Sequence, residues 1–129
     1  MTEPARRQKR IEPLKSSEFH ILLALADGDR HGYGIMQEVA ARSQGTIRLG
    51  PGTLYGAIKR LLASELIEES AKRPAARNDD ERRRCYYRLT KVGRNVAEKE
   101  ARRLLELVRV AHSKQLVTWQ PLALNGGVE

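Results

Sequence analysis

Apolar positions recur with helical spacing in four stretches of this chain and alternate with polar ones in another. Phe19, Leu22, Leu23 and Ala26 fall at i, i+3, i+4 and i+7, which predicts a helix with one buried face, capped by Ser16 or Ser17 and ended by Asp27-Gly28-Asp29. Ile21 and Leu25 form a second apolar stripe on that helix, and a helix apolar on two sides needs cover on both. Ile35, Met36, Val39 and Ala40 share one face of a second helix, led in by His31-Gly32-Tyr33-Gly34 and stopped at Gly45 as its C′ residue. Thr46 to Leu49 has room only for a scrap of strand. A third helix is predicted from about Pro51 to Ser64, with Leu54, Ala57, Ile58 and Leu61 inward, Pro51 in the first turn and Gly52 or Thr53 as the cap.

The pattern then shortens to a period of two. A strand over about Ile67 to Arg73, a turn from Pro74 to Glu81 and a strand from Arg82 to Leu89 make a hairpin. In its second strand Cys85, Tyr87 and Leu89 alternate with Arg84, Tyr86 and Arg88, which puts Cys85 among the inward residues. Thr90 caps a long last helix to about Leu116, with Val92, Val96, Leu104, Leu107, Val108 and Ala111 near a 3.6-residue period. Three helices, a hairpin and a long helix predict a mainly α fold with a small β-hairpin. This is a winged helix-turn-helix carrying an appended C-terminal helix. The expected organisation is a flexible basic arm over 1–15, a winged-helix domain over 16–89, a dimerisation helix over 90–118 and a flexible tail over 119–129.

Composition sharpens this reading. The chain has 129 residues, enough for one domain with an ordinary core, and 40% of them are hydrophobic. No apolar run approaches the roughly 18 to 20 residues that span a membrane, and no signal-peptide pattern opens the chain, so a cytoplasmic protein without a membrane partner is expected. The single cysteine excludes an intramolecular disulfide and suits a reducing compartment. The net charge of +8 calls for an anionic partner, and the low aromatic share of 5% argues against an RNA-stacking sheet.

The cations concentrate where the fold puts two elements side by side. The outer face of the third helix presents Gly56, Lys59, Arg60 and Ala63, bordered by Thr53 and Tyr55. Small residues beside cations suit a helix that must lie close against the major groove of duplex DNA, and Gly52 and Gly56 let the backbone approach. From Lys72 to Arg88 there are seven basic residues against three acids, with Arg82, Arg83 and Arg84 in a run. Lys72 and those three arginines form a wing beside the helix, suited to the DNA backbone. The last helix, about 27 residues and roughly 40 Å long, outreaches so small a bundle. Its stripe of Val96, Leu104, Leu107, Val108 and Ala111, with Ile21 and Leu25 as companions, is therefore expected to pair two copies of the chain. Trp119 is a candidate for lining an effector pocket there, or for anchoring the packing. His20, His31, His112 and Cys85 have no metal-ligand spacing, and no catalytic frame or phosphate loop occurs. Neither metal nor cofactor is expected, nor an enzyme. The rival reading is a winged-helix protein–protein interaction module whose charge serves only solubility.

"HGYGI" (31–35), "GTLYGAIKRL" (52–61), "LIEE" (66–69) and "RRRCYYRLT" (82–90), in this order, resemble the PadR-like transcriptional regulators from about residue 18 to 110. The resemblance implies a winged-helix homodimer, in most members a repressor of a palindromic operator, joined through the C-terminal helix. In some members a small hydrophobic or phenolic effector binds at the interface. It places Thr53, Tyr55 and Lys59 on the recognition helix and Arg82 to Arg84 on the wing. Two positions depart from the family pattern: Gly56 stands where proline is usual, and Glu65 where glycine is usual. A left-handed Glu65 costs roughly 1 kcal/mol.

Overall fold

The computed structural model describes residues 14–70 and 85–118. Its elements are α1 (Ser16–Leu25), β1 (Arg30–His31), α2 (Gly32–Arg42), α3 (Pro51–Ala63), β2 (Ile67–Ser70), β3 (Tyr86–Leu89) and α4 (Lys91–Ser113). The three antiparallel strands lie in the order β1-β3-β2, with Ile67 opposite Leu89, Ser70 opposite Tyr86, and Arg30 opposite Tyr87. This is the expected winged helix-turn-helix with its C-terminal helix. The sequence gives no sign of β1, because two residues have no periodicity and the strand exists only by pairing with β3.

One core serves α1, α2, α3 and the sheet. Ile21, Leu22, Ile35, Val39, Leu54, Leu61 and Ile67 are its largest fully enclosed apolar members. The reading of α1 needs correction here. Ile21 and Leu25 are 0% and 3% exposed, so they cannot offer a surface to a second copy. Of the stripe that periodicity had placed inside, Leu22 is fully enclosed while Phe19, Leu23 and Ala26 are half-buried. Helix α1 touches α2, α3, α4 and β3 of its own protomer, and this cover takes the stripe that had been assigned to a partner. Cys85 also departs from expectation: it is exposed just before β3, while Tyr86 and Tyr87 are both buried. The central strand is covered on both faces, with Tyr87 in the core and Tyr86 edge-on to His31 at 5.1 Å. Strict inside–outside alternation therefore fails in β3.

Caps account for the element boundaries. Helix α1 starts at Lys15, whose N–H donates to Glu18 Oε1 at 2.9 Å, rather than at a serine. In α3 the N-cap is Gly50, with Pro51 at the first helical position, so Gly52 and Thr53 lie inside the first turn instead of capping it. Helices α2, α3 and α4 all end in a paired-carbonyl stop with a left-handed residue that is not glycine. Gln44, Glu65 and Gln115 have φ of 57°, 63° and 67°. At the end of α3, Glu65 N–H donates to Leu62 O and Leu66 N–H to Leu61 O, both at 3.0 Å. The strain anticipated at Glu65 is thus present, offset by those bonds and by burial of Leu66. Gly45, the expected C′ residue, follows one position after Gln44.

The joint between the winged unit and α4 is tightly built. Thr90 Oγ1 accepts the Gly93 N–H at 2.9 Å, and Thr90 N–H donates to Leu66 O at 3.1 Å. A Cβ on Gly93 would collide with the Leu66 carbonyl, so only glycine lets α4 leave the sheet at this angle. Arg94 Nη2 donates to Ala26 O at 2.9 Å and ties the start of α4 to the end of α1.

Candidate nucleic-acid interface

The first turn of α3 is open. Gly50 has no side chain with which to cap it, and Pro51 has no N–H to satisfy, so the remaining first-turn N–H groups and the positive end of the helix dipole face outward. Leu54, Ala57, Ile58 and Leu61 hold the helix to the core at 0–2% exposure. Pro51, Gly52, Thr53, Tyr55, Lys59, Arg60 and Ala63 are exposed, and Gly56 is half-buried. A Cβ at Gly52 would meet nothing within 4 Å, and one at Gly56 only Arg60 Nη1 at 3.8 Å. The protein itself has no need of glycine at either position. Lys59 has no carboxylate partner among the described residues.

Arg60 does not share that freedom. Its Nε donates to Glu18 Oε2 at 2.9 Å, and Glu18 is fully buried. Glu18 also closes the start of α1, so one carboxylate joins α1 to α3. A charge inside the fold needs a partner, and Arg60 supplies it. The first task of Arg60 is structural, although the sequence grouped it with the DNA-facing residues. Arg88 is likewise engaged, with Nε 2.7 Å from Glu68 Oε2 across the sheet. The wing residues Lys72, Arg82, Arg83 and Arg84 lie outside the described residues, as do the basic arm over 1–13 and Trp119.

Beside the first turn of α3 is a notch of about 470 Å³ lined by His31, Gly32, Tyr33, Tyr55, Cys85 and Tyr87 among others. Tyr55 and Tyr33 are 49% and 52% exposed on its rim. Burial, with smaller contributions from Cys85, Tyr55 and Glu69, pushes the Tyr87 phenol above its ordinary value, so it stays a neutral hydroxyl. His31 Nδ1 accepts the Gly34 N–H at 3.0 Å and caps α2. Periodicity singled out neither Tyr33 nor Gly32, because both precede the apolar stripe of α2.

Helix α4 carries a different kind of surface, a stripe of apolar side chains on an otherwise charged helix. Helix α4 is 23 residues long, about 34 Å at 1.5 Å per residue, and Gly93 is its one buried member. Val96 packs against the protomer's own core, which removes it from the expected interface. Leu107 and Val108 are exposed, Leu104 and Ala111 are half-buried, and Val110 adds an exposed apolar residue that the sequence reading left out. Between α1 and α4 a cleft of about 370 Å³ is lined by Phe19, His20, Leu23, Glu100, Arg103 and Leu104, among others. Burial and then Arg42 lower the His20 imidazole from its usual value, and its buried Nδ1 has no partner among the described residues. The bond from Arg103 holds the Glu100 carboxyl low.

Among the described residues no group of His, Cys, Asp and Glu side chains could hold a metal, and no helix is long and apolar enough to cross a membrane. Comparison with known proteins agrees with the fold. A transcriptional regulator of Mycobacterium tuberculosis is 38% identical over 90 residues, which span 70% of this chain and 77% of that protein. An uncharacterized 37.1 kDa protein of a Streptomyces fradiae transposon is 41% identical over 87 residues, 67% of this chain but 22% of the relative's own length. The fold superposes on the crystal structure of a PadR family transcription regulator from Clostridium difficile with a TM-score of 0.64 and 25% identity, over 78% of this chain and 99% of that one. The model of the transcriptional regulator PadR-like family matches residues 21–99. This chain belongs to the PadR-like family of transcriptional regulators.

Proposed function

We propose that the chain is a homodimeric repressor that reads a palindromic operator through α3. Thr53, Tyr55 and Lys59 contact base edges in the major groove, Gly52 and Gly56 let the backbone come close, and Arg60 holds the helix at its angle. Lys72 and Arg82 to Arg84 bind phosphates beside it, and two protomers pair through Leu104, Leu107, Val108 and Ala111 of α4. The cleft between α1 and α4 is the place for a small hydrophobic or phenolic effector that releases the DNA. Such a protein works in the cytoplasm, without cofactor or catalysis. The observation that carries the reading is the outer side of α3: an uncapped first turn, two glycines that packing does not require, and a lysine without a carboxylate partner among the described residues.

The test separates base reading from phosphate holding. An operator is selected from a pool of random duplexes, and Lys59→Ala and Arg83→Ala are compared on it and on mixed-sequence DNA. Lys59→Ala is expected to lose about 1 to 3 kcal/mol on the operator and little on mixed sequence. Arg83→Ala is expected to weaken both alike and to reduce the salt slope by about one. Equal losses for both variants on both duplexes contradict this division. Binding that ignores salt, or is absent at low salt, favours the protein–protein module.

A further inference from the structure

Gly32, the first residue of α2, is buried, and what encloses it is a side chain of the DNA-facing helix. A Cβ built at Gly32 would run into the Tyr55 ring, meeting the hydroxyl first, then Cζ at 2.8 Å and Cε1 at 3.1 Å. All three of the nearest atoms belong to Tyr55. The other glycines give the contrast: Gly93 is closed by backbone, and Gly52 and Gly56 open onto free space. Among the described glycines only Gly32 would clash with the far end of a side chain, and that side chain, Tyr55, is 49% exposed on the outer side of α3.

The turn that carries this seat is itself fixed. His31 caps it by accepting the Gly34 N–H, its ring lies edge-on to Tyr86, and its backbone pairs with Tyr86 in the sheet. A line of contacts therefore runs from the central strand through His31 and Gly32 to the Tyr55 ring. An exposed tyrosine would ordinarily sample several rotamers and lose that freedom on binding. Packing of the ring against Gly32 would remove part of that freedom before binding.

We propose that Gly32 is a positioning residue for DNA reading: its missing side chain is the seat that fixes Tyr55 at the edge of the recognition face. The proposal rests on the reading of α3 as the DNA-reading helix. A methyl group at Gly32 moves the Tyr55 ring and leaves the fold in place, because a side chain can swing where a carbonyl cannot. Gly32 touches no base in this account; it acts through Tyr55.

The test compares wild type, Gly32→Ala, Tyr55→Leu and the double variant in the full chain. Thermal unfolding, the affinity ratio between selected operator and mixed-sequence DNA, and the NMR signals of the Tyr55 ring are measured. Gly32→Ala is expected to unfold within about 4 °C of wild type and to shift the Tyr55 ring signals. It should lower the operator preference about tenfold while mixed-sequence affinity changes less than about twofold. Tyr55→Leu should lower the preference to a similar level without any change at Gly32, so the proposal stays testable if the alanine variant folds poorly. In the Tyr55→Leu background, adding Gly32→Ala should change the ratio by less than about twofold. Full operator preference in Gly32→Ala or in Tyr55→Leu overturns the proposal, as does an undiminished effect of Gly32→Ala in the double variant. A wild-type protein that selects no sequence overturns the reading of α3 as well, a result distinct from a variant that behaves as wild type.

Discussion

Helices α3 and α4 are both amphipathic, but among the described residues only α3 has most of its apolar side covered. Four residues of α3 lie at 0–2% exposure, and what it shows to solvent is Pro51, Gly52, Thr53, Tyr55, Lys59, Arg60 and Ala63. Helix α4 shows Leu107 at 54%, Val110 at 42% and Val108 at 36%. A helix satisfied on its apolar side has a polar side to spare for a polyanion. A helix left exposed on its apolar side favours association there. The two helices thus differ in what they offer a partner, and the difference between them can be tested by disturbing each separately.

The largest effect is expected at the uncovered surface. Leu107→Asp places a charge in the proposed dimer seam and should raise the dimer dissociation constant about 100-fold, near 2.7 kcal/mol. Light scattering over a dilution series reads this, and urea unfolding of the dilute monomer should change little. A variant that still dimerises like wild type breaks the comparison.

Next comes Arg60, which stands between the two kinds of surface because it lies on α3 yet serves the interior. Arg60→Ala leaves the buried Glu18 carboxylate without its guanidinium and should cost about 2 kcal/mol, a figure reduced because the arginine is half exposed. The urea midpoint should fall, with no selective loss of operator over mixed-sequence DNA. Unchanged stability with a selective loss of operator affinity would return Arg60 to the DNA-reading set.

The smallest effect is at the end of α3, where Glu65 holds φ of 63°. Glu65→Gly should stabilise the fold by about 1 kcal/mol and leave DNA binding unchanged. A loss of stability on urea unfolding would contradict the account of that helix stop.

These three positions differ in how far the sequence discloses them. Of the α4 stripe that periodicity picks out, Leu107 and Val108 are exposed while Val96 packs on the core, and the left-handed Glu65 follows from the family pattern. The four helices appear where the apolar spacing puts them, to within a few residues, and β2 and β3 lie within the expected hairpin, because a 3.6 or 2.0 period records which side each element buries. Strand β1 was not foreseen, and Thr46 to Leu49 forms no strand. What the spacing cannot say is which of two apolar stripes on α1 meets the core. Ile21 and Leu25 went inside because α2, α3 and β3 close over that side, a fact of tertiary packing. Cys85 escaped the alternation of its strand because the central strand is covered on both faces and begins one residue later. The Glu18–Arg60 pair joins residues 42 positions apart, and no local pattern reports it. Gly32 looked like a turn residue, since its importance lies in the ring that occupies its space.

Hydrogen exchange, measured with and without operator DNA over a range of protein concentrations, tests the contrast between α3 and α4 most directly. The first-turn amides of α3 lack intrahelical acceptors and should exchange fast in free protein, slowing only when DNA is added. The second half of α4 should be protected without DNA once the protein is concentrated enough to pair, and should lose that protection on dilution. Slow exchange at the start of α3 in free protein, or protection of α4 that ignores concentration, would contradict the account.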